Sequence, residues 1–191
     1  MESDLQWMED VVNRTYPGLQ LFVRDLNLGR LEELYTIGTV LRERGFTDAS
    51  ARIGGMVTTH RMAILSNHMR DLSEYEYGTD WQLFVANRGS RFKVLDVYRV
   101  GARTQIALLH LPEEGWEFFI GSETSIDREL VMEVRKRFDA QVSAQPIPQL
   151  VTAEWIERCA LPIGMSEEGE RFTLTEPEDH WTSLSTKTTL Q

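Results

Sequence analysis

Three polar side chains interrupt an otherwise apolar pattern between residues 49 and 72: His60, Asn67 and His68. At helical spacing, Ile53, Met56, Val57, His60, Ala63, Ile64, Asn67 and His68 fall along one stripe. A polar group on an apolar face needs a hydrogen-bond partner, because burying it without one costs free energy. The chemistry open to such a set is a ligand-binding cleft, a general base or a metal. Spacing works against the metal. Zinc-binding histidines on a helix sit one turn apart, and from position 60 to position 68 a helix advances roughly 12 Å. The competing reading is that all three bond to neighbouring backbone, the usual fate of buried polar groups. Neither a metal nor a cofactor is expected.

A second set is basic. Between Trp81 and Leu111 lie Arg88, Arg91, Lys93, Arg99 and Arg103, against the one acid Asp96. Five minus one leaves +4 inside a chain of net charge −10, so the remainder carries −14. Arg91, Lys93 and Arg99 share one face of a strand, with Trp81, Phe92 and Tyr98 nearby. Cations beside aromatic rings could capture an acidic partner, a phosphate or single-stranded nucleic acid. Equally, they could pair with this chain's own acids, and the acidic stretch 166–179 could lie across them.

Other chemistry is harder to find. The doublets Glu32-Glu33, Glu113-Glu114 and Glu167-Glu168 are poor dyads, since adjacent side chains diverge on a helix and oppose on a strand. Ser66, Ser73 and Cys159 lack a nucleophile signature such as G-x-S-x-G. No phosphate-binding loop, kinase motif or zinc motif is present.

The elements that must position these groups read as α+β: a helical N-terminal third, a four-stranded antiparallel meander packed by helices, and an acidic C-terminal tail. Helices are expected over 3–15, 28–44 and 49–72, the last with a kink or a close backbone contact at Gly54-Gly55. Residues 19–23 fit a strand or a loop anchor. The meander takes runs 81–86, 91–100, 103–111 and 116–120, joined by turns too short for a parallel return. Mixed parity along these runs implies cover on much of both sheet faces. A helix over 126–139 follows, with Thr124 and Asp127 fitting a capping box. Thr152 can cap a short helix through Cys159, and 171–175 could add an edge strand.

A chain of 191 residues suggests one domain, here 1–181, with a disordered tail over 182–191. Its acidity argues against general nucleic-acid or anionic-membrane binding. No apolar run approaches the ~20 residues of a membrane span. The acidic start lacks a signal-peptide pattern, and the single Cys159 can form no internal disulfide. A cytoplasmic location is expected.

The leading functional expectation is a non-enzymatic protein-binding or regulatory module of adaptor, chaperone, inhibitor or immunity type, recognising another protein. The first alternative is an enzyme or small-molecule-binding domain with a polar site on the 49–72 helix. The second is a phosphate or nucleic-acid binder using the basic strands 88–103, which the overall charge opposes. A free sheet edge would also allow a homodimer.

Overall fold

The computed structural model describes residues 2–175. The acidic residues after Thr175 and the expected tail 182–191 lie outside the described residues.

The strand His60–Ser66 (β4) sits at the middle of the structure, and all seven of its residues are buried. It pairs antiparallel with Gln20–Leu26 (β1) and parallel with Arg103–Leu111 (β8). Around this trio stand Val40–Arg42 (β2), Thr47–Ser50 (β3), Arg70–Asp71 (β5), Leu83–Ala86 (β6) and Arg91–Val100 (β7). The eight strands form one mixed sheet in the order β2-β7-β8-β4-β1-β3-β6-β5.

This corrects the expected architecture. The N-terminal third is not helical beyond the helix Glu2–Thr15 (α1). Within 28–44, Gly29–Leu34 forms a 3-10 helix and β2 follows it. Within 49–72, where a helix was expected, lie part of β3 and all of β4 and β5. The four-stranded antiparallel meander does not form either. Only β7 and β8 pair as a hairpin, while β6 pairs with β3 and β5. Trp116–Phe119 is a 3-10 helix after the left-handed Gly115.

The physical reason is cover on both faces. Met62 and Ile64 enter one core with Phe22, Leu26, Leu41, Phe92, Val94, Ile106 and Leu108. Ala63 and Leu65 enter the opposite core with Val40, Leu109, Leu111, Trp116, Phe119 and Val134. A strand buried on both sides shows no polar parity, so its alternation test fails although it is a strand.

The second core lies beneath α1 and the helix Ser125–Gln141 (α2). Thr124 caps α2: its hydroxyl accepts from the Asp127 N–H, and Asp127 accepts from the Thr124 N–H. Asp127 also receives the Lys93 ammonium at 2.7 Å and the Tyr16 hydroxyl at 2.9 Å. A third cluster joins Trp81, Leu83 and Val85 to Leu150, Trp155 and Cys159, the last three on or beside the short helix Ala153–Arg158 (α3). Residues 171–175 form no strand, only an isolated bridge from Arg171 to Met165. No described helix is long and apolar enough to cross a membrane.

Candidate functional site

Arg24 stands on β1 between Phe22 and Leu26, on the face those two residues turn into the core. It is only 4% exposed. Its Nη2 donates to the carbonyls of Cys159 at 2.8 Å and Leu161 at 2.9 Å. Its Nε has no hydrogen-bond partner, and no described carboxylate comes within ion-pair reach of it. A guanidinium is always charged, and removing it from water costs several kcal/mol unless an opposite charge compensates. Among the described residues no opposite charge pairs with the buried Arg24 guanidinium.

Arg24 lines a cleft of about 420 Å³. The walls carry Phe46, Leu161, Pro162, Met165 and Phe172 together with Arg158. Phe46 is 64% exposed there, a large apolar ring left facing water. Arg44 lies 4.5 Å from the Phe172 ring centroid, and Arg158 donates to Asp48 at 2.6 Å. Acids also line the cleft. Glu43 is committed to the backbone N–H groups of Gly45 and Gly164, while Glu167 and Glu168 are exposed.

Beside the cleft, β1, β3 and β6 run side by side. Val23 pairs with Ser50, and Ser50 pairs with Leu83. Arg24, Ser50 and Gln82 thus stand within one residue of a common row across three strands. The Ser50 hydroxyl donates to the Trp81 carbonyl at 2.6 Å. Among the described residues, Gln82 alone of the non-glycines has positive φ, at 48°. Such backbone strain costs of order 1–3 kcal/mol and clusters at functional positions.

The residues singled out from sequence are dispersed. His60 is satisfied inside the fold: Nε2 meets Glu32 at 2.8 Å, and Nδ1 meets the Thr59 hydroxyl at 2.8 Å. Asn67 donates to the carbonyls of Arg14 and Pro17. Lys93 is buried against Asp127, and Arg99 pairs with Glu32 at 2.6 Å. Glu32 is held below the usual carboxylate range: burial works to raise it, but the bonds from Arg99 and His60 outweigh that. Arg91, Lys93 and Arg99 therefore present no shared basic face. His68 and Arg91, one from each set, do line a common pocket with His110. Among the described residues no three His, Cys, Asp or Glu side chains gather in a way that could hold a metal ion.

Sequence reasoning missed Arg24, Phe46 and His110. Arg24 left one trace, a lone Arg-Asp pair inside the apolar run 21–26. A charge in the middle of a short apolar run has to be buried with a reason.

No family model matches this chain, and no curated protein is similar to it. Solved structures are similar. The Clostridium limosum C3 exoenzyme shares 12% identity at a TM-score of 0.45, over 56% of this chain and 67% of that one. Exoenzyme S of Pseudomonas aeruginosa, in complex with human 14-3-3 protein beta and bound to Carba-NAD, shares 14% at 0.44, over 66% and 64%. The ADP-ribosyltransferase HopU1 of Pseudomonas syringae pv. Tomato DC3000 shares 14% at 0.42, over 49% and 46%. The chain spans about half to two thirds of these structures. They are structures of exoenzymes and a transferase, and the leading expectation of a non-enzymatic protein-binding module is corrected in favour of its alternative, an enzyme or small-molecule-binding domain. The position of that alternative's site is corrected too, since no 49–72 helix exists. Identities and TM-scores this low carry nothing further about ligand or reaction.

Proposed function

We propose that the Arg24 cleft binds a nucleotide-like ligand, an aromatic ring system joined to phosphate. The single observation that carries this reading is the buried Arg24 guanidinium, whose Nε has no partner and which, among the described residues, has no carboxylate within ion-pair reach. A phosphate would supply the missing charge and accept from Nε, a charge-assisted bond roughly twice as strong as a neutral one. Phe46 would offer its exposed face to the ring, as aromatic and apolar walls do in ligand pockets. The cleft volume lies within the roughly 300–1,000 Å³ usual for small-molecule sites.

Gln82 is the second residue we place at this site, on its strained backbone and its position in the Arg24–Ser50 row. Its side-chain amide could donate to and accept from a ribose or ring edge.

NAD is the first probe, because it joins aromatic ring systems to phosphate, the two features that Phe46 and Arg24 would recognise. Calorimetric titration of the full chain should show saturable binding, and Arg24→Gln should weaken it about tenfold or more. Equal affinity in wild type and Arg24→Gln sinks the reading. Analysing the nucleotide after incubation separates binding from chemistry: intact NAD leaves a binding domain, and cleaved NAD makes it an enzyme.

A further inference from the structure

A second concave site lies where the ends of several strands meet. The C-terminal ends of β2, β4 and β8 and the start of β7 converge there, because β4 and β8 run parallel and β7 runs against both β8 and β2. They frame a pocket of about 470 Å³ lined by Arg42, His68, Arg88, Arg91, His110 and Glu113 among others. Arg88 stands on the exposed turn between β6 and β7, and Arg42 is buried at the end of β2. Arg91 is partly committed, with Nε and Nη2 donating to the Leu174 carbonyl.

His110 is the group that marks this pocket as built. It is 3% exposed. One ring face stacks on Phe92 at 4.8 Å and the ring also packs on His68 at 3.8 Å. Its Nδ1 lies 2.9 Å from the Ser66 hydroxyl. That hydroxyl already accepts from the backbone N–H groups of His68 and Met69. An oxygen with two lone pairs occupied has only its own hydrogen left to give. Ser66 therefore donates to Nδ1, and a neutral His110 carries its proton on Nε2. No described residue bonds that Nε2, and His110 is among the residues lining the pocket.

The geometry points to an oxyanion site here: we propose that this pocket takes the phosphate group of a small molecule, with the His110 Nε2–H as a fixed neutral donor and Arg88 supplying charge. Ser66 is a positioning residue, since it sets the tautomer and touches no ligand. Burial and the nearby His68 keep His110 neutral, so the donor role persists through neutral pH. Glu113, exposed in the same lining, opposes an anion. This site shares no lining residue with the Arg24 cleft and stands or falls separately from it.

The test is an NMR titration of the full chain, labelled with ¹⁵N at histidine, using inorganic phosphate at constant ionic strength. The expected result is a saturable shift of the His110 ring signals with Nε2 protonated throughout. His60, closed off by Glu32 and Thr59, should not move. Arg88→Gln, a change on an exposed turn, should weaken the apparent phosphate affinity about tenfold. A shift of His110 that rises linearly without saturation overturns the proposal, and so does an unchanged affinity in Arg88→Gln. His110→Gln serves as a second variant where it folds; phosphate perturbing the remaining pocket signals with unchanged affinity would equally overturn it.

Discussion

Asp25 and Arg61 face each other directly in the β1–β4 ladder and close a bidentate pair, Nε to Oδ1 at 2.7 Å and Nη2 to Oδ2 at 2.9 Å. Both are buried, with side chains 7% and 1% exposed. Every remaining polar atom is used: Arg61 also donates to the carbonyls of Gly54 and Gly55, and Asp25 accepts from the Val57 N–H. Removing one member leaves a buried charge alone. Asp25→Ala should lower stability by about 3–5 kcal/mol. The double change Asp25→Leu with Arg61→Met should recover much of that loss, since a buried ion pair is often matched by apolar residues of similar volume. Urea unfolding of the three variants measures both.

The same loop explains a glycine. A Cβ on Gly55 would lie 2.0 Å from the Ala144 carbonyl oxygen, and one on Gly54 would meet Ile147 at 2.6 Å. Backbone cannot yield as a side-chain tip can. Gly55→Ala should therefore destabilise by about 1–3 kcal/mol or more, the cost of overpacking a filled site, as read from a thermal or urea transition.

Stability should fall on mild acidification. Burial lowers the pKa of His110 well below its ordinary value, with the adjacent His68 adding to the effect. His68 is lowered too, by burial, against a weaker pull upward from the Leu111 carbonyl. It keeps a solvent-facing edge, so its share is the smaller. A histidine depressed in the folded chain stays neutral while the unfolded chain takes up a proton. Stability is then full above about pH 6.5 and declines as pH falls from there towards the folded values, by at most about 1.4 kcal/mol per pH unit for each group. Glu32 acts only lower, in the carboxylate range. Urea midpoints at about pH 7.5 and about pH 5.5 should differ, and His110→Gln should flatten the difference.

Ser66→Ala should release the His110 tautomer. The change removes the hydroxyl that donates to Nδ1 and that accepts from two backbone N–H groups. Long-range ¹H–¹⁵N spectra should show loss of the pure Nε2–H form. Stability should drop by about 1–3 kcal/mol for the donors left unsatisfied.

Cys159 should be inert while the chain is folded. It is fully buried, and that burial pushes its thiol up to about 12. The thiolate is the reactive form, so an aromatic disulfide reagent should label it only at the rate of unfolding. Labelling of the native protein at the rate of a free thiol would contradict the packing of Cys159 against Trp81 and Trp155.

Local signals in the sequence were sufficient for the parts of the fold that are themselves local. The α1 pattern, the Thr124–Asp127 cap of α2, the Thr152 cap of α3 and the β7–β8 hairpin each depend on residues within a few positions of one another. The mixed parity along 91–111 also carried real information, because both sheet faces are covered. What only the tertiary structure decided is the pairing of distant strands. β4 could not be told from a helix, since burial on both faces erases alternation and leaves Met62, Ala63, Ile64 and Leu65 apolar in either register. β6 looked like the start of a meander, yet it leaves β7 to pair with β3 and β5. The candidate sites follow the same division. His68 and Arg91 were visible as residue types, but Arg24 became distinctive only when β1 was buried and no described carboxylate came within ion-pair reach of it. His110 became a directed donor only when β8 lay next to β4 and set its Nδ1 against Ser66. A residue's chemistry is written in its type, but its charge state, its tautomer and its missing partner are set by neighbours that the chain brings together from far apart.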